Sequence, residues 1–185
     1  MKKSLILFIS LFFYAQLTSA ATSESVLHGS QLFQNNCSSC HSLKYLVPTK
    51  EIPAFTVKKT PAILGVQPPD LSLEINIRGA DWVYAYLDGF YPDPKRPLGT
   101  NNKVYPDTAM PNMLAGLKAQ MTPEEFHGAL NDIVAFLTYA ADPHQSQRKK
   151  LGCWVVGFLI IFVLLLWLIF RIITRVENAS SKIRK

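Results

Sequence analysis

The chain has 185 residues, 49% of them hydrophobic, with three cysteines and a formal net charge of +6. That charge sits at the ends: residues 21–147 hold nine Lys/Arg and twelve Asp/Glu, whereas residues 148–185 hold eight Lys/Arg and one Asp/Glu. The long middle segment is therefore mildly acidic and offers no basic face, which excludes a nucleic-acid-binding reading. It is also long enough for one hydrophobic core and too short for two.

The first 20 residues read as a secretory signal peptide. Lys2 and Lys3 precede an apolar run from Leu5 to about Ala15, and small residues Thr18 and Ala20 lead to a cut before Ala21. Residues 21–147 then form an exported domain. Its first helix is expected from about Ser25 to Asn36, anchored by Leu27, Leu32 and Phe33.

The next residues, "CSSCHSLKYL", place Cys37 and Cys40 with two residues between them and His41 directly after. A redox dithiol should follow a strand in a βαβ setting, and no such pattern is visible. Structural zinc needs a second ligand pair, and the only other cysteine is Cys153, near the far end. A disulfide suits an oxidising compartment but leaves His41 unexplained. Thioether attachment of one haem c uses all three residues. Cysteines one helical turn apart reach the two vinyl groups on one porphyrin edge, and the following imidazole meets the iron.

A Pro-punctuated stretch follows, with Pro48, Pro53, Pro61, Pro68 and Pro69. After it come two short helices within "DLSLEINIRGADWVYAYLDGF", broken near Gly79. Pro92, Pro94, Pro97 and Gly99 mark another loop. Such long loops in a small domain fit a prosthetic group for them to wrap. An electron-transfer haem of this type takes a sixth ligand, commonly methionine. In "DTAMPNML", Met110 is stiffened by Pro111 and lies far enough from His41 to reach the other face. Met113 is its close rival. His28 is too near the motif, His127 lies off the apolar face of its helix, His144 sits beside the membrane flank, and Met121 reads as packing.

The last helix of the domain opens with Thr122, Pro123 and Glu125, a capping box with proline at its first position. It carries Phe126, Leu130, Ile133, Val134 and Leu137 to about Ala141. Residues 148–170 combine a basic flank, Arg148 to Lys150, with an uncharged run from Leu151 to Phe170. Twenty residues at about 1.5 Å each span about 30 Å, a bilayer core. Trp154 and Trp167 sit near its ends, and Cys153 within it reads as a small apolar residue. The basic tail, residues 171–185, is expected in the cytoplasm. The Arg148–Lys150 triplet pulls the other way, although long side chains at a helix end also snorkel to headgroups.

The blocks "CSSCHSLKYL", "PPDLSLEINIRGADWVYAYLDGF", "NNKVYPDTAMPNML" and "DIVAFLTYAADPHQSQRKKLG" resemble, in order, those of the cytochrome c1 family, the haem subunits of the cytochrome bc1 complex. The resemblance implies a mostly α, class I c-type cytochrome-like haem domain with long loops and one C-terminal transmembrane helix. It also implies that the first and last helices of that domain cross beside the haem. Cys37 and Cys40 correspond to the thioether cysteines, His41 and Met110 to the axial ligands, and Arg78 to an arginine near a haem propionate.

By the same resemblance, the chain relays electrons from a Rieske iron–sulfur protein to a soluble or tethered cytochrome c. It would do so beside cytochrome b, in a bacterial inner membrane, with the haem domain periplasmic and no catalytic residue of its own. Two features depart from the pattern: only 26 residues separate His41 from Pro68, and no pronounced acidic patch is visible. A free-standing membrane-anchored cytochrome serving a terminal oxidase, or a haem-free thiol protein, are the competing readings.

Overall fold

A computed structural model describes residues 23–56 and 62–183, so the expected signal peptide lies outside the described residues. In chain order the elements are α1 (Ser23–Asn36), α2 (Glu74–Arg78), α3 (Ala80–Asp88), β1 (Phe90–Pro92), β2 (Thr100–Asn102), α4 (Ala115–Gln120), α5 (Pro123–Ala141) and α6 (Gln145–Ile183). The fold is mostly helical, and the chain divides into two compact units, one ending at Pro143 and the other beginning at His144.

The first unit is organised around α5. The Thr122 side chain accepts from Glu125 N–H at 3.3 Å, while Glu125 Oε2 accepts from Thr122 N–H at 2.9 Å, with Pro123 in the first turn. These reciprocal bonds satisfy donors that the helix itself cannot. Phe126, Ala129, Leu130, Ile133, Phe136, Leu137 and Ala140 form its buried stripe, at the spacing that puts residues on one helical face. Helices α1, α2, α3 and α4 all pack against it.

Helix α1 buries Val26, Gly29, Ser30 and Phe33, again three and four apart. Its crossing with α5 is unusually close. A methyl group on Gly29 would lie 1.9 Å from the Asp132 carbonyl oxygen and 2.8 Å from Phe136 Cβ. Beside this contact, His28 Nδ1 and Asp132 Oδ2 are 2.6 Å apart. Below it, Phe33, Phe55 and Phe136 pack with ring centroids 5.1 to 5.8 Å apart, mostly edge to face.

Gly79 breaks α2 from α3 at φ 90°, a conformation costly for residues with a Cβ. Two elements differ from the sequence expectation. The loop around Pro92 to Gly99 contains an antiparallel ladder pairing Phe90 with Asn102, Tyr91 with Asn101 and Pro92 with Thr100. Strands of three residues are too short to display alternation, so period-two reasoning passes over them. The short helix α4 buries no residue and so leaves no apolar stripe to read.

In the second unit, α6 contains Gln147–Ser180, a stretch long and apolar enough to cross a membrane. At about 1.5 Å per residue the whole helix runs roughly 60 Å, twice a bilayer core, so its basic ends extend past the apolar run.

Replacing Gly29 with alanine is expected to force α1 and α5 apart and cost about 3 kcal/mol, the upper range for overpacking. Urea unfolding of the full-length protein checks this. A loss below about 0.5 kcal/mol, the scatter of surface substitutions, would show that the crossing yields freely.

Candidate functional site

After α1 the backbone continues in one tight turn: Cys37 N–H donates to Phe33 O at 2.8 Å, and His41 N–H to Cys37 O at 2.9 Å. That turn brings Cys37, Cys40 and His41 to the wall of one cavity. Cys37 and His41 are buried, and the two cysteines are not disulfide-bonded. Burial, with Cys40 nearby as a second cause, pushes the Cys37 thiol up to about 12. A thiol that stays protonated at neutral pH is a poor nucleophile, so Cys37 itself is not activated. Among the described residues no group of three or more His, Cys, Asp or Glu gathers as a metal site, so a zinc reading lacks its further ligands.

The orientation of His41 is set by Pro69. His41 Nδ1 lies 2.8 Å from the Pro69 carbonyl oxygen. A carbonyl only accepts, so Nδ1 carries the proton and Nε2 keeps its lone pair available for a metal. Pro69 is itself held through its neighbour. Asp70 Oδ2 accepts from Ser42 Oγ at 2.6 Å and Lys44 N–H at 3.0 Å, and Asp70 Oδ1 accepts from Ser72 N–H at 3.0 Å. Leu71 N–H adds a bond to Ser42 O at 3.0 Å. Burial works to raise the Asp70 carboxyl, but hydrogen bonds from Ser42, Ser72 and Lys44 outweigh it and hold the group below its ordinary value.

The cavity is about 380 Å³, within the range of ligand sites. The wall from α5 supplies Ile133 and Leu137, and α3 supplies Trp82, Val83, Tyr86 and Leu87. Met110 and Met113 both line it, Met110 half-buried and Met113 39% exposed. Arg78 lines it as well. Its Nε donates to Glu74 Oε1 at 2.7 Å, and its guanidinium lies 4.3 Å from the centre of the Trp82 ring. Among the described residues no hydrogen bond uses the Arg78 Nη groups, so both remain as donors for an acidic group.

The structure thus gathers all five residues predicted for the site, Cys37, Cys40, His41, Arg78 and Met110, around one space. The donor set fits a haem: two thiols and an imidazole on one strand of the wall, a thioether on another, apolar faces between, and a cation at the edge. Of the other weighed residues Met113 lines it as well, whereas His28, His127 and Met121 do not. His28 pairs with Asp132, His127 Nδ1 is 2.7 Å from Tyr84 OH, and Met121 packs against the core. Sequence reasoning missed the Pro69 carbonyl, Glu74, Trp82 and Tyr86. Each acts through a partner distant in the chain or a helical turn away, with no motif to announce it.

Comparison with known proteins agrees in kind. Residues 47–176 match the profile of the Cytochrome C1 family. The chain is 30% identical to cytochrome c1 of Allochromatium vinosum, over 77% of its own length and 81% of the relative's. It is 35% identical to the ammonia monooxygenase gamma subunit of Nitrosomonas europaea, over 57% and 53% of the two chains. To cytochrome c1 of Blastochloris viridis it is 37% identical over 52% of this chain and 38% of the relative. The family match begins after His41, so the cysteine–histidine motif lies outside the matched residues.

Because Asp70 titrates lower folded than unfolded, its stabilising contribution is present above about pH 3.9 and is lost as pH falls toward the folded value. Asp70→Asn is therefore expected to be less stable than wild type at pH 6, with the gap closing below about pH 4. Urea midpoints measured across pH 6 to 3 check it, and a gap that stays constant would remove Asp70 from this role.

Proposed function

The chain belongs to the cytochrome c1 family, and from that premise we propose that it is a membrane-anchored cytochrome with one covalently attached haem c that relays single electrons. One observation carries the reading. Cys37, Cys40, His41 and Met110, drawn from two distant loops, line the same largely apolar cavity, and His41 turns only its unprotonated nitrogen to ligation.

In this reading Cys37 and Cys40 supply the thioether bonds, and His41 and Met110 the two axial positions. A haem so held supplies one-electron redox chemistry with no coordination position open to substrate. Ile133, Leu137, Val83 and Leu87 keep water from the space, which favours the less charged, reduced state. Arg78, steadied by Glu74 and the face of Trp82, offers its Nη groups to a propionate.

We place the protein in a quinol–cytochrome c reductase beside cytochrome b. A Rieske iron–sulfur protein serves as donor there, and a soluble or tethered cytochrome c as acceptor. Residues 1–20 act as export signal, 21–147 as the periplasmic haem domain, 148–170 as flank and span, and 171–185 as the cytoplasmic tail in a bacterial inner membrane. The apolar run of α6 supports the anchoring.

The test compares Met110→Ala with Met113→Ala. Only Met110→Ala is expected to lose the weak near-infrared sulfur–iron band and to fall in potential by more than about 60 mV, a tenfold change for one electron. Loss of the band in Met113→Ala alone would reverse the assignment. Detergent extraction of the wild type is expected to bring a b-type cytochrome and a Rieske protein with it, and a pyridine haemochrome spectrum to report one thioether-linked haem per chain. Recovery of a stable lone monomer would favour a free-standing carrier, and a colourless chain would end the haem reading.

A further inference from the structure

Residues 103–110 approach the cavity without regular secondary structure, so their backbone groups must find other partners. They find them on side chains of the β1–β2 hairpin. Asn102, 1% exposed, accepts from Val104 N–H at 2.8 Å and Tyr105 N–H at 3.1 Å, and donates Nδ2–H to Tyr86 O at 2.7 Å. Asn101 Oδ1 accepts from Asp107 N–H at 2.9 Å, while its Nδ2–H donates to Asp93 Oδ2 at 3.1 Å. Gly89 leaves room for this arrangement, since a Cβ there would lie 3.2 Å from Asn102 Oδ1.

Arg96, in the hairpin loop, completes the hold. Its Nη1 donates to Asp107 Oδ1 at 2.8 Å and its Nη2 to the Asp107 carbonyl oxygen at 2.8 Å. Asp107 sits at φ 62°, a left-handed conformation that residues with a Cβ avoid unless held there. Thr108, also buried, has its Oγ1 2.8 Å from Tyr86 OH and accepts from Met110 N–H at 3.3 Å. The chain of bonds therefore runs unbroken from the hairpin and α3 to the backbone of Met110.

We propose that Arg96, with Asn101, Asn102 and the Tyr86–Thr108 pair, forms a clamp that presets the position of Met110, Arg96 being its principal positioning residue. The proposal rests on the reading of Met110 as an axial ligand. A thioether–iron bond is weak, and a loop free to swing spends much of its time with the sulfur elsewhere. An exposed Arg–Asp pair alone would add little. Arg96 differs because its planar fork also grips the backbone at the turn, a geometry lysine does not reproduce.

The experiment titrates the ferric, detergent-purified full-length protein with imidazole, which competes for the sixth position, while following the sulfur–iron band. Arg96→Met and Arg96→Lys are each expected to bind imidazole about tenfold more tightly than wild type at unchanged haem content. Asp107→Asn, which keeps the backbone contacts, is expected to change by less than about twofold. Wild-type imidazole affinity in both Arg96 variants would overturn the clamp. Should they fail to accumulate, Thr108→Val, lacking the acceptor for Met110 N–H, gives the same reading: a similar gain supports the clamp and no change refutes it. Met110→Ala separates the two layers, because a band that survives there defeats the ligand assignment whatever Arg96 does.

Discussion

The hydrogen bond from His41 Nδ1–H to the Pro69 carbonyl oxygen is the constraint on which the site depends. It decides which imidazole nitrogen keeps a free lone pair, and it joins the cysteine turn to a segment 28 positions further along the chain. Asp70 makes that junction rigid by accepting from both sides of it at once. Without this tie the two loops would have no reason to share a wall. The Cys37–His41 turn would be a capped helix end facing nothing in particular.

The domain uses two kinds of cohesion, and they divide the cavity between them. Helices α1 and α5 are held by apolar contact, with Phe33, Leu130 and Phe136 fully buried. The loops have little apolar surface to bury and rely on Asp70, Asn101, Asn102 and Thr108, whose side chains replace the backbone partners that a helix or sheet would supply. That explains how long irregular segments hold defined paths in a small domain. Each short polar side chain closes a turn locally, and one long-range bond then fixes that turn in space.

The same division separates what could be read from the sequence from what could not. The Cys37–Cys40–His41 motif, the capping box at Thr122 and the apolar run after Leu151 are local patterns of fixed spacing, and each is visible in a single line of residues. Met110 could be proposed as a sixth ligand by elimination, because few sulfur or imidazole side chains exist to choose among, and the structure places both it and Met113 at the cavity. The partners were not reachable: Pro69 for His41, Tyr86 O for Asn102 and Asp132 for His28 lie on other elements, and nothing in composition links them. Arg78 was singled out by the family resemblance alone, yet Glu74 and the Trp82 face that steady it emerge only once α2 and α3 turn about Gly79. The β1–β2 ladder and α4 were missed for want of length and of an apolar face.

The contact at Gly29 carries a consequence for how such a domain diversifies. With no clearance between α1 and the Asp132 carbonyl, the joint between these helices has a single setting, and the cavity wall bearing Ile133 and Leu137 inherits it. The opposite walls hang on loops whose turns are closed by individual side chains. Tuning of the electronic surroundings, by lengthening, shortening or exchanging residues, is therefore open to the loops and closed to the helical joint.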